Sequence, residues 1–425
     1  MLQRLPLIFW NNYLGLLSES EEEVRELFYK LSETSKYLYD ISKSIKLNAS
    51  FFHNIYIPTN ISTNIPTNIP TNISFKIIDT TITRFIEQYD IKLSPNKWTA
   101  HIDIDLSEEI ECYKIEQLMM ILPLFNIGVQ FYTSSILIHK ILNVIEPTKI
   151  IKLSFLDATD IDIEKLSPYL AKMTNLTTFE LHYDEKIERI NNIGALCIPH
   201  LAITQLTSLD ISHISLEYKD GLLLAQLLER MTQLRTLKLC KNNLCSSTGM
   251  TSIASSLKNL SQLTILDIRD NRLWPRGARI LASVLSELTN LKSLNICNNS
   301  IGKRGAKYLV SSLSKLTQLV SLDISNNMIK DLGIILLAPA IVKFRNLESL
   351  NIGGNWIEDS GATSFAPFII KLTKLRNFIC DWNNISDEGF ITLRHSLEAL
   401  KRLTTLDFSN NNITLPIVVN CCELL

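Results

Sequence analysis

The sequence predicts an α/β solenoid in which short parallel strands line a concave face and helices a convex one, like a horseshoe, preceded by a small helical N-terminal unit. Three observations predict it. An eleven-residue motif, LxxLxLxxNxL, begins at residues 206, 234, 263, 291, 319, 347, 375 and 403, the first copy lacking only its Asn, so successive copies lie 28 or 29 residues apart. The residues after each copy space their apolar side chains as an amphipathic helix does. A glycine also recurs at the fifteenth position of five repeats: Gly277, Gly305, Gly333, Gly361 and Gly389.

Each element follows from one of these patterns. In "LTILDIRDNRL" (Leu263 to Leu273) or "LVSLDISNNMI" (Leu319 to Ile329), alternating Leu and Ile point one way from a strand, toward a core. The ninth-position Asn (Asn242, Asn271, Asn299, Asn327, Asn355, Asn383, Asn411) leaves the strand at a turn. Its amide both donates and accepts, so stacked copies predict an asparagine ladder. In "GAKYLVSSLSKLTQL", Ala306, Leu309, Leu313 and Leu316 fall on one helical face. The recurring glycine allows close packing of helix against turn. Pro339 and Pro367 share one helix offset in adjacent repeats, which predicts two neighbouring helices kinked or shortened together.

A strand motif of this kind at a fixed period is the leucine-rich repeat signature. The extension seen as "NSIGKRGAKYL" from Asn299 and "NWIEDSGATSF" from Asn355 resembles the ribonuclease-inhibitor-like subclass of that family. The resemblance implies a module that binds proteins through its concave face and loops. No single repeat can bury a core alone, so stacking supplies the stability.

Composition narrows the function. The 425 residues include 42 basic and 43 acidic side chains, a formal net charge of −1, so neither nucleic acid nor an anionic membrane is the default partner. Eight scattered cysteines show neither a disulfide framework nor zinc spacing, which points to free thiols in a reducing, cytoplasmic compartment. The opening "MLQRLPLIFWNNYLGLL" is interrupted by Pro6 and by Asn11 and Asn12, unlike a secretory signal, and no apolar run reaches membrane-spanning length.

In chain order, residues 1–50 read as a helical unit. Leu5 and Pro6 opening a first short helix, with "LSETSKYLYDIS" further on, resemble an F-box, which implies docking of a Skp-type adaptor at Leu5 and Pro6. The alternative is a helical cap on the array. Residues 51–74 carry the Pro- and Asn-rich "IPTNISTNIPTNIPTNIS", a low-complexity linker. Residues 75–205 contain strand-like "WTAHIDIDL", "NIGVQFYT", "TKIIKLSF" and "LTTFELHY", read as degenerate repeats, with a separate α/β domain as the alternative. Residues 206–425 are the regular repeats and a tail. The final "CELL" fits a prenylation box on Cys422, which would add a membrane association through a C-terminal lipid.

No motif carries catalysis: the sequence has no HExxH, GxSxG, P-loop or GxGxxG, and no cofactor or metal site is expected. His182, Asp210 and His213 gather on adjacent strands without a catalytic spacing. What remains is recognition. Strand alternation turns positions 3, 5, 7 and 8 of each repeat toward the concave face. There, Asp267, Arg269, Asp270, Asp381, Trp382 and Asp407, with Trp356 at position 10, are the candidate partner-binding residues, because Trp and Arg are enriched where binding energy concentrates. Trp356 packed between turns is the competing reading. The repeated fifth-position Asp could equally serve folding. The sequence thus reads as a non-enzymatic recognition protein, either the substrate receptor of a cullin-type ubiquitin ligase or a scaffold without that association.

Overall fold

The structure, a computed structural model, describes residues 72–77, 99–106, 126–131, 146–155, 169–182, 205–214, 216, 218–244 and 247–415. The chain divides into two compact units, Met1–Leu176 and Thr177–Leu425. In the first, strands β1 (Asn72–Ile77), β2 (Thr99–Leu106), β3 (Asn126–Phe131) and β4 (Ile150–Phe155) pair in parallel and in sequence order. Three of these fall in segments whose alternation reads as strand; β1 begins inside the low-complexity stretch, where no alternation marked it.

The second unit is the array. Strands β5 (Thr178–Leu181), β6 (Ser208–Asp210), β7 (Thr236–Lys238), β8 (Ile265–Asp267), β9 (Ser293–Asn295), β10 (Ser321–Asp323), β11 (Ser349–Asn351), β12 (Asn377–Ile379) and β13 (Thr405–Asp407) are parallel neighbours in that order. Equivalent repeat positions face one another: Ser321 pairs with Ser349, Leu322 with Leu350 and Asp323 with Asn351. The carbonyl of each position 2 accepts from two amides of the next repeat, as Thr264 does from Lys292 at 2.8 Å and Ser293 at 3.0 Å.

Helices α1 (Tyr218–Leu228), α2 (Ser247–Leu257), α3 (Trp274–Leu285), α4 (Gly302–Leu313), α5 (Lys330–Ile341), α6 (Asp359–Ile369) and α7 (Asp387–Leu397) return the chain to the next strand. Parallel strands require such a crossover. The core lies between sheet and helices, where Leu266, Leu294, Leu322 and Leu350 of the strands meet Leu281, Leu309, Leu337 and Phe365 of the helices, all at most 1% exposed.

The asparagine ladder is present. Asn299 is fully buried; its Nδ2 donates to the carbonyls of Ile268, Ile296 and Cys297, each at 3.0 Å, and its Oδ1 accepts from Asn271 N at 3.0 Å. The same bonds recur at Asn271, Asn327 and Asn355. The recurring glycines sit where a side chain would collide: a Cβ at Gly277 would lie 2.9 Å from Leu273 Cβ.

The prolines do not shorten their helices. α5 and α6 hold 12 and 11 residues, like their neighbours, because Pro339 and Pro367 fall in the last turn. The carbonyls that lose a donor belong to Ile335 and Thr363, both exposed, where water can substitute.

A second ladder, unforeseen in the sequence, links the later repeats. Asp331 accepts from Glu358 N at 2.7 Å and from the Ser360 hydroxyl at 2.5 Å; Asp359 does the same for Ser386 at 2.7 and 2.5 Å, and Asp387 for Thr414 at 2.8 and 2.5 Å. Each carboxylate thus satisfies backbone donors at or just before the helix start of the following repeat, or the equivalent turn after β13.

Candidate functional site

The ends of the strands place the candidate residues. At position 5, the side chain folds over its own strand end: Asp267 Oδ1 accepts from Arg269 N at 3.2 Å, Asp323 from Ser325 N at 2.9 Å, and Asp407 from Ser409 N at 2.9 Å. Asn295 and Asn351 do likewise at 3.0 Å. This is an Asx turn, so one oxygen of each of these Asp and Asn residues is committed to folding.

Position 8 then turns the chain with a left-handed residue in all eight repeats, φ lying between 48° and 64° at His213, Lys241, Asp270, Asn298, Asn326, Gly354, Trp382 and Asn410. Asn, Asp and Gly tolerate that region, whereas a bulky side chain there is an outlier. Lys241 and Trp382 are the long or bulky exceptions in this series, and Trp382 is the aromatic one: φ is 48° and 64% of the residue is exposed. Trp356, at position 10, is also left-handed and half exposed, with Lys330 Nζ 5.1 Å from its ring centroid. It does not pack between turns. A cation over an indole face is an attractive contact.

Two further exposed side chains were not singled out by sequence reasoning: Met328, at position 10 one repeat before Trp356, and Trp274, at position 12 of its own repeat. Both are left-handed as well. The signal that could have found them is a large apolar residue at loop positions that carry no core contact. Met328, Trp356 and Trp382 thus occupy loop positions of three consecutive repeats. Beside Trp382, Gly353 and Gly354 fill positions 7 and 8 of the preceding repeat, and neighbouring side chains lie over them. Any Cβ at Gly353 would strike Asp381 Oδ1, so the Asp381 carboxylate lies against that glycine.

The charged candidates form two groups. Asp267 and Arg269 pair at 3.7 Å, and Asp270 accepts a bond from the Asn298 amide. Asp381 lies toward Asp407, and burial followed by the Asp407 charge raises its carboxyl above the ordinary range. The tryptophans belong with the second group; Asp267, Arg269 and Asp270 lie three or more repeats away. Leu5, Pro6 and Cys422 lie outside the described residues.

The histidine cluster has its own geometry. Asp210, 4% exposed, accepts from the Ser212 hydroxyl at 2.6 Å and stands 3.3 Å from His182 Nε2 and 3.1 Å from Lys238 Nζ. Burial would raise its carboxyl, but the hydrogen bonds from His182 and Ser212 and the two neighbouring charges outweigh it and hold the pKa at about 2. The carboxylate, and not the imidazole, touches the serine hydroxyl, so the order of groups does not activate Ser212 as a nucleophile. The backbone amide of His213 donates to Cys240 O at 2.8 Å. Three repeats further along, burial pushes the Cys297 thiol up to about 12, which keeps it protonated and unreactive. Among the described residues, no group of three or more His, Cys, Asp or Glu could hold a metal ion, and no helix is long and apolar enough to cross a membrane.

The match to family patterns agrees with this architecture. The family pattern described as Leucine Rich repeat matches residues 287–310, 315–338 and 345–366, and a second Leucine Rich Repeat pattern matches 402–424. No curated protein matches the chain. Among solved structures, an internalin from Listeria monocytogenes is similar at 21% identity and TM-score 0.44, over 79% of this chain and 89% of that one. A chain of the Drosophila Toll–Spatzle complex is similar at 14% identity and TM-score 0.34, over 81% and 55%. One of the yeast Rad7–Elc1 complex is similar at 16% identity and TM-score 0.48, over 68% and 71%. Period, strand register, asparagine ladder and family match agree that the array is a solenoid of leucine-rich repeats.

Proposed function

We propose that this chain is a non-catalytic recognition module whose array, of the ribonuclease-inhibitor-like subclass, holds a protein partner at the strand ends around Trp382. One observation carries the reading: the repeats place turn-forming residues at position 8, and here a tryptophan stands in the same left-handed backbone with 64% of its surface in water. Left-handed backbone under a large exposed aromatic, at Trp382 and again at Trp356 one repeat before, supports a site held for binding. Asp381 and Asp407 beside it favour a partner with basic or amide groups, while Trp356 with Lys330 extends the contact by one repeat. Asp267, Arg269 and Asp270 would form a second, more polar contact.

The finer reading is a substrate receptor of a cullin-type ubiquitin ligase, in which Leu5 and Pro6 of an F-box-like segment dock a Skp-type adaptor. The protein would be cytoplasmic and, with Cys422 prenylated, membrane-associated. What supports it is the arrangement of the sequence: a short start whose apolar spacing reads as helical, a low-complexity stretch and the repeat array. A scaffold without ligase association shares the Trp382 site and lacks the adaptor.

The test separates the two. Full-length protein, a Leu5→Asp variant and a Trp382→Asn variant are used to capture partners from eukaryotic lysate. Adaptor and cullin retained by the first and third but lost from the second support the receptor. Absence of adaptor throughout leaves the scaffold. Trp382→Asn is expected to lose the protein partner while raising stability by about 1 kcal/mol, since it relieves a left-handed bulky residue; a partner held equally well by this variant would remove Trp382 from the site.

A further inference from the structure

The helix face of the array carries a surface that the Trp382 site does not use. Positions 14 and 17 of each repeat, one helical turn apart, point outward and are exposed from α3 to α7. Their chemistry changes sharply along the array. They are Arg276 and Arg279 on α3, Arg304 and Lys307 on α4, then Leu332 and Ile335 on α5, then Ser360 and Thr363 on α6. Leu332 is 50% and Ile335 37% exposed, although the opposite face of α5 buries Ile334, Leu337, Ala338 and Ile341. A helix that is apolar all round is one whose every side is covered.

The four neighbouring cations indicate what covers it. Among the described residues, none of them takes part in an ion pair, whereas Lys238, Arg269, Arg376 and Arg394 each do. Four uncompensated positive charges beside an apolar strip ask for a cover that is acidic on one flank and apolar on the other. Three outward helix faces bound the site: basic α4, apolar α5 and hydroxylated α6. At positions 14 and 17 the apolar band is therefore one helix wide, roughly 10 Å, which is also the diameter of a single α-helix, with Tyr308 of α4 exposed beside it. A bilayer would call for a broader apolar surface.

We propose that the groove between α4 and α5 docks an acidic amphipathic helix of a partner protein. Asp or Glu at i and i+3 or i+4 on the partner would meet Arg304 and Lys307, whose guanidinium and ammonium donors suit carboxylates. Leu or Ile on the adjoining flank would cover Leu332 and Ile335. Arg276 and Arg279 extend the positive field by one helix and hasten encounter.

The test uses the full-length chain and a labelled helical peptide of roughly 18 residues, about five turns, with Glu on one flank and Leu on the other. Fluorescence anisotropy should show saturable binding that weakens as salt rises from about 0.05 M to about 0.3 M. Arg304→Glu with Lys307→Glu, and separately Leu332→Ser with Ile335→Ser, should each weaken it about tenfold or more. Both pairs are solvent-facing, and unchanged circular dichroism melting would show that the fold survives. Trp382→Ala should leave this binding intact, which keeps the result independent of the site at the strand ends. No binding, equal binding of a peptide with Lys in place of Glu, or binding only to phosphatidylserine vesicles would overturn the proposal, the last in favour of a lipid surface.

Discussion

Asn327 shows how much one residue carries in this fold. Its Nδ2 donates to the carbonyls of Ile296 at 2.9 Å and of Ile324 and Ser325 at 3.0 Å, while Oδ1 accepts from Asn299 N at 3.1 Å and Ile301 N at 3.3 Å. The residue is fully buried. Truncation would strand backbone groups of two turns away from water, at a cost of roughly 1–3 kcal/mol for each group left unsatisfied. Asn327→Ala should therefore destabilise the protein by about 3 kcal/mol, after partial relaxation. Asn411→Ala, at the half-buried end of the ladder, should cost about 1 kcal/mol. Urea midpoints measure both, and equal costs would show that burial does not set the strength of the ladder. The ninth-position Asn was legible because it recurs; its bonds were not, because they join residues 28 and 31 apart that no local pattern connects. Position 8 was half legible. Its Asn, Asp and Gly are the residues that left-handed turns prefer, but the meaning of Trp382 appeared only once its backbone angle was known.

At the scale of elements, the strands and helices follow the sequence pattern closely, down to the faint strands β2 to β5, since alternation marks a strand even where the full motif is missing. Proline misled because its offset was compared between repeats and not with the helix end: in the last turn, its missing N–H matters little. The aspartate ladder escaped because an Asp before a helix reads as a local cap, whereas Asp359 caps the next repeat, 27 residues on. A further tie between elements makes a testable claim. Asp210 on β6 joins His182, just after β5, to Lys238 on β7. Its pKa is lowered from the ordinary 3.8 to about 2. The folded value lies below the unfolded one, so the stabilisation, about 2 kcal/mol, is full above pH 4 and disappears as pH falls through the folded value. Asp210→Asn should thus cost about 2 kcal/mol at neutral pH, and the gap between it and the parent in urea midpoints should close toward pH 2. A gap that does not change with pH would mean that packing, and not charge, makes the tie.

At the scale of the whole array, each repeat touches mainly its neighbours, so stability is a sum of repeat and interface contributions and not a property of one closed core. The period was enough to foresee this. It could not show how the ends differ, because equivalent positions look alike in sequence. Leu294 and Leu322 are 1% exposed, whereas Leu403 and Leu406, in the last strand segment, are 7% and 8% exposed. The interior amide of Ile324 donates to Asn351 O at 3.0 Å, and the peripheral one of Thr405 to Arg376 O at 2.9 Å. The two bonds are geometrically alike, so any difference in their lifetimes must come from the stability of the surrounding repeats. Native-state hydrogen exchange should find Ile324 protected about a hundredfold more than Thr405. Leu322→Ala, which opens a cavity in β10, should lower protection in both adjoining repeats and leave Thr405 nearly unchanged. If all amides from Leu263 to Thr405 exchanged with one common protection factor, the array would unfold as a single unit, and the nearest-neighbour account of its stability would fail.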